Sequence, residues 1–208
     1  MTGLVSVKER IYQIIDHAYM LFCNQVAGGT VHVENEASMQ LHLSNILLQL
    51  GRLYEFSADE HFNIVLEKKI DLASPTSKSA NKKARVDIWI ELSKAGEVQA
   101  TAAIELKYLK KTDTAAVTDA RYSVYKDLEN LEHYRVESGY LTICEIVYST
   151  NPNFLEKKEM KFSIADDTVI SSYGGDTTYA PINLHNQYPP LKWDRFNGHN
   201  FLMVTPCK

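Results

Sequence analysis

Hydrophobic residues recur at helical spacing over residues 5–26, at Val7, Ile11, Ile14, Ile15, Ala18, Leu21 and Phe22, and the run closes on Ala27-Gly28-Gly29, residues suited to a helix C-terminus. This predicts a first helix. A second is predicted over residues 34–50, with Met39, Leu43, Ile46, Leu47 and Leu50 on one stripe and Gly51 as its stop. Residues 61–66, 84–92 and 98–109 are β-rich or apolar enough to read as strands. Ser93-Lys94-Ala95-Gly96-Glu97 joins the last two as a hairpin turn. Residues 73–83, rich in Ser, Pro, Asn and Lys, read as a mobile loop feeding the strand of Asp87. A third helix is predicted over residues 115–137 from Val117, Ala120, Val124, Leu128 and Leu131, and residues 140–148 then read as a strand buried on both faces. Beyond Asn151 the pattern weakens, with short strands expected at 160–164, 168–172 and 201–204.

The order after the first helix is thus α-β-β-β-α-β, an α/β pattern with a core over about 34–150 and a β- and loop-rich extension over 151–208. At 208 residues, with no long flexible linker, the expectation is a single domain spanning 1–208. A composition of 45% hydrophobic and 23% charged residues excludes a disordered or fibrous chain. No apolar run approaches the length of a membrane span and no signal-like N-terminus is present, so a cytoplasmic protein without membrane partners is expected. Cys23, Cys144 and Cys207 are widely spaced and odd in number, which excludes a disulfide framework and a zinc knuckle. Cys23 and Cys144 read as core residues. The net charge of −4 repels polyanions overall, yet residues 67–111 carry ten Lys/Arg against six Asp/Glu. That local excess permits a nucleic-acid partner.

Side chains alternate across a strand, so Arg85, Asp87, Trp89 and Glu91 share one face while Val86, Ile88, Ile90 and Leu92 form an apolar one. On the next strand Thr101, Ala103, Glu105 and Lys107 share a face. If the apolar faces coincide in the core, Asp87, Glu105 and Lys107 converge on the other side. Two carboxylates with the Leu106 carbonyl between Glu105 and Lys107 make an oxygen-rich partial shell suited to Mg²⁺ or Mn²⁺. Such a cation would polarise a phosphoryl oxygen, with Lys107 as a fixed positive charge beside it. The competing reading of Glu105-Leu106-Lys107 is a pair of solvated charges on an exposed strand, against which the apolar surroundings (Ala102, Ala103, Ile104, Tyr108, Leu109) argue. Glu36, on the stripe of Leu43 with Gln40 at i+4, is a candidate third ligand, although the helix dipole also explains an N-terminal Glu. Lys82, Lys83 and Arg85, together with Lys78, Arg121 and Lys126, are candidate contacts to a phosphate backbone.

The succession of a helix bearing Glu36, a strand, Arg85-Val86-Asp87-Ile88, a hairpin, Ile104-Glu105-Leu106-Lys107, a helix and a buried strand resembles the PD-(D/E)XK nuclease superfamily, also called restriction-endonuclease-like. Val86 stands where the motif has its proline, and the Gln-x-x-x-Tyr pattern of helicase-associated exonucleases is missing after Lys107. The resemblance implies a restriction-endonuclease-like core (αβββαβ), a central mixed β-sheet flanked by helices. It also implies Mg²⁺ or Mn²⁺ held by Asp87, Glu105, the Leu106 carbonyl and Glu36, with Lys107 in catalysis. The function implied is a metal-dependent nuclease, foremost an endonuclease on double-stranded DNA in restriction or defence, recombination or repair, with a homodimer expected if both strands are cut. The alternative is a nuclease-like module that binds nucleic acid or protein without turnover. A glycosidase using Asp87 and Glu105 is disfavoured, because Lys107 beside both would hold their pKa values down.

Overall fold

In the computed structural model, which describes residues 5–80, 82–110, 114–136, 139–155 and 161–207 (the side chains of 114–116 excepted), each predicted helix forms. Helix α1 (Val7–Ala27) begins where the Ser6 side chain accepts from the Glu9 amide, and Gly28 and Gly29 follow its end, Gly29 at φ +74°. Helix α2 (Glu36–Leu53) is capped by Asn35 and Ser38, each side chain bonding the other's backbone. The strands are β1 (Glu60–Asp71), β2 (Lys83–Lys94), β3 (Glu97–Leu109), β4 (Tyr140–Ser149), β5 (Asp194–Phe196) and β6 (His199–Val204), with α3 (Thr114–His133) between β3 and β4. They form a six-stranded mixed sheet in the order β1-β2-β3-β4-β6-β5, flanked by helices. The described residues fall into two compact units, drawn from 1–68, 86–104 and 136–142 and from 69–85, 105–135 and 143–208.

In the first unit, Ile11, Ile14, Ala18 and Phe22 of α1 and Met39, Leu43 and Leu47 of α2 are wholly buried. Burying each such side chain stabilises by about 1.5–3 kcal/mol, which is why the periodic stripes dictate the packing. Gly51 was expected to stop α2, but the helix continues through it to Leu53. Its role is clearance: a Cβ there would stand 2.1 Å from Cδ1 of Phe62 on β1. Arg10 is buried, and its guanidinium meets Glu60 with Nη1–Oε2 at 2.7 Å and Nη2–Oε1 at 3.1 Å. This bidentate bond, with the Phe56 amide, holds the Glu60 carboxyl down to about 2. The β2–β3 hairpin pairs antiparallel from Ile88↔Ile104 to Lys94↔Glu97 and turns at Ala95 and Gly96, both at positive φ, as a two-residue turn matching the strand twist requires. Val86, Ile88, Ile90 and Leu92 form the buried face expected of β2. Trp89 on the opposite face is buried too, with the Lys68 ammonium 4.5 Å above its ring and its indole N–H donating to Glu91.

In the second unit, Val124, Leu128 and Leu131 of α3 are buried as predicted. Residues 73–80 of the segment expected as a mobile loop do form a loop, and it is tied to α3 at Ala73, Thr76 and Ser77. The Ala73 amide donates to the His133 carbonyl, Thr76 Oγ1 to Asn130, and Ser77 through both its amide and its hydroxyl to Glu129. The expected strands at 160–164 and 168–172 do not form where described, residue 160 lying outside the described residues. Further along, acidic side chains of α3 satisfy residues 183–188: Glu129 accepts from the Asn183 amide, and Glu132 from the amides of His185 and Asn186 and from the Tyr188 hydroxyl. The expected strand at 201–204 is present as the end of β6, which pairs antiparallel with β4 from Glu145↔Val204 to Ser149↔Asn200. Trp193 is a buried packing residue whose indole donates to the Ile164 carbonyl, and Cys144 and Cys23 are buried in their respective units. Among the described residues no helix is long and apolar enough to cross a membrane.

Candidate functional site

Strand β3 is buried on both faces from Ala100 to Leu106, so charges at its C-terminal half need partners. Glu105 is 2% exposed. Its Oε1 accepts from the Tyr134 hydroxyl, which also lies 3.4 Å from the Arg85 carbonyl oxygen. Its Oε2 stands 3.4 Å from the Lys78 ammonium. The same ammonium pairs with Oδ1 of Asp127, and Lys107 Nζ lies 2.8 Å from Oδ2 of Asp127 without hydrogen-bond alignment. One ammonium thus bridges carboxylates from β3 and α3, and a second closes the group.

Asp127 is drawn inward by its place on α3, since position 127 falls on the stripe of Val124, Leu128 and Leu131. Lys78 is delivered by the segment that Thr76 and Ser77 fasten to Asn130 and Glu129. Burial works against its charge, but Asp127 and then Glu105 outweigh that and raise its pKa above the ordinary lysine value. Glu145 of β4 completes the cluster. It is fully buried, neither of its oxygens has a hydrogen-bond partner among the described residues, and burial followed by the charge of Asp127 pushes its carboxyl well above the usual range. With Glu145 protonated, the charges of Glu105, Asp127, Lys78 and Lys107 balance.

Beside this cluster a hollow of about 610 Å³ is lined by Lys69, Lys78, Lys83 and Arg85, with Asp71 the one carboxylate among its described lining residues. Lys82, Lys83 and Arg85 are exposed, as a phosphate contact requires, and Lys126 lies half-buried with its ammonium 4.9 Å from the Tyr122 ring centroid. Arg121 departs from expectation. It is 1% exposed, donates to the Asn153 carbonyl and faces the Phe154 ring, so it serves packing and is out of reach of a phosphate backbone.

Of the predicted site residues, Glu105, Leu106 and Lys107 lie in the second unit, and Asp87 and Glu36 in the first. Asp87 is half-buried and its carbonyl accepts from Gln40 Nε2 at 2.7 Å. Glu36 is exposed in the first turn of α2, and Gln40, one turn on, bridges Asp87 and Glu67. Asp127, Glu145 and Tyr134 were not singled out from the sequence as site residues. The signal was there for two of them: an acid on the apolar stripe of α3 and an acid inside the apolar run of β4.

Among the described residues no group of three or more His, Cys, Asp or Glu could hold a metal ion as placed. The donors nevertheless suit a hard cation, for they are carboxylate oxygens and a positive group already sits between two of them. Comparison with family models, with curated proteins and with solved structures yields no match.

Proposed function

We propose that this chain is a metal-dependent nuclease that hydrolyses phosphodiester bonds, with a restriction-endonuclease-like core and DNA as the foremost substrate. The observation that carries this reading is the burial of Glu105, 2% exposed, and the partial burial of Lys107, whose side chain is 17% exposed. Solvated strand charges would be exposed and unclustered, whereas these lie in a charge-balanced group next to a basic hollow. A divalent cation would supply Lewis acidity toward the phosphoryl oxygen. Glu105 and the Leu106 carbonyl would hold it, with the motif order naming Asp87 as the second carboxylate. Lys107, its ammonium fixed by Asp127, would offer positive charge to the developing phosphorane. Tyr134 orients Glu105 through its hydroxyl. Lys83 and Arg85, lining the hollow, would bind backbone phosphates, and cutting both strands of a duplex would call for a homodimer.

One observation favours a second reading, a module without turnover: the carboxylates of the cluster are already paired with lysines. Incubation with circular, linear and single-stranded DNA and with RNA, in Mg²⁺, Mn²⁺ or chelator, separates the two. A nuclease cuts circular DNA only with metal, and Asp87→Ala and Glu105→Ala each abolish cutting while the fold persists. If both variants cut as the parent does, the assignment is wrong, and silence of the parent on every substrate, with either metal as with chelator, favours the module.

A further inference from the structure

Two carboxylates from separate elements, Glu105 of β3 and Asp127 of α3, approach one ammonium, and that ammonium belongs to a side chain anchored from outside the cluster. Lys78 is 38% exposed along its side chain, lines the basic hollow, and reaches the carboxylates only with its tip. Glu145 gives an independent sign that the space holds less than it was built for. A fully buried carboxyl with no hydrogen-bond partner on either oxygen is costly, and the groups it feels most are Asp127, Lys107, Glu105 and Lys78, the members of this cluster. The Lys78 ammonium answers two carboxylates and makes no hydrogen bond to the Glu145 carboxyl.

We infer that Glu105 and Asp127 form a divalent-cation site, that Lys78 occupies it as a resident counter-cation in the metal-free protein, and that cation entry displaces the Lys78 ammonium into the basic hollow. This rests on the metal-dependent reading above but assigns a ligand, Asp127, and a competitor, Lys78, that the motif does not supply. The physical basis is a competition of charges for one space. A Mg²⁺- or Mn²⁺-sized ion takes oxygen ligands at about 2.0–2.1 Å and carries twice the charge of an ammonium, so both cannot sit between the same two oxygens. Lys78 itself lines the hollow, so a displaced ammonium has open space to enter. Once there, the ammonium would join Lys69, Lys83 and Arg85 and raise the positive charge facing a phosphate when the cation is in place. Metal loading and phosphate affinity are thereby coupled through one side chain.

The test is calorimetric titration of the full chain with Mn²⁺ alone, comparing the parent with Lys78→Met, Asp127→Asn and Glu105→Gln. Lys78→Met removes the competitor and is expected to bind Mn²⁺ on the order of tenfold more tightly, equivalent to about 1.4 kcal/mol. Asp127→Asn is expected to weaken binding at least about tenfold. A second readout needs no buried substitution: reductive methylation followed by peptide mass mapping, in which Lys78 of the parent should react faster with Mn²⁺ than with chelator. Glu105-dependent binding with an unchanged or weaker Lys78→Met variant, or with Lys78 labelling indifferent to Mn²⁺, overturns this inference and leaves the nuclease reading standing. Absence of any Glu105-dependent heat in the parent overturns both.

Discussion

Lys107 Nζ of β3 stands 2.8 Å from Asp127 Oδ2 of α3, which ties the lysine of Glu105-Leu106-Lys107 to a carboxylate on a different element. Asp127 is 1% exposed, so its charge depends on the two lysines that face it.

Lys107→Met should therefore destabilise the fold by roughly 1–3 kcal/mol, less than the about 3–5 kcal/mol of a buried charge stripped of its only partner, because Lys78 still faces Asp127. Combined with Asp127→Asn, the losses should not add, leaving a coupling of about 0.5–3 kcal/mol in urea denaturation. Additive losses would show that the pair does not interact in solution.

Burial of Glu145 makes stability fall as pH rises. Its carboxyl is pushed up from an ordinary value of 4.5, so below that pH it is protonated in both states. Above it the unfolded chain ionises while the folded one keeps its proton, and stability is lost across that window by up to about 1.4 kcal/mol per pH unit for one full proton. Glu145→Gln should remove this slope: relative to the parent, its melting temperature should improve as pH rises above 4.5. A constant difference between the two melting curves over that range would contradict the buried, protonated carboxyl.

Gly51→Ala would ordinarily stabilise a helix by about 1 kcal/mol. Here the added Cβ would stand 2.1 Å from the Phe62 ring, so the expected outcome is a loss of roughly 1–3 kcal/mol, read as a lower denaturation midpoint. Pairing it with Phe62→Leu should recover part of that loss, since the ring is what the methyl meets.

The helices and the hairpin were legible because their signals are local. The stripes of α1, α2 and α3 repeat within a turn or two, and the Ala95-Gly96 turn declares itself in adjacent residues. Gly51 misled for the same reason. As a residue it signals a helix end, and only Phe62, on a different element, reveals why a glycine is needed there. Residues 73–83 carried loop chemistry, but what fastens the loop at Thr76 and Ser77 are Asn130 and Glu129, more than fifty positions away. Arg121 looked like a surface cation because nothing near it in sequence announces the Asn153 carbonyl and the Phe154 ring that receive it.

The sequence by itself determined an α/β chain, the strand that carries Glu105 and Lys107, and the alternation that sets those two side chains on one face, since periodicity and pleat depend on neighbours alone. Tertiary structure decided what those side chains meet. Lys78 and Asp127 are 49 residues apart, and their pairing, like the burial of Glu145 beside them, depends on how α3, β4 and the segment before β2 pack together. A charge is solvated or partnered according to what surrounds it in space, and that surrounding is a property of the fold.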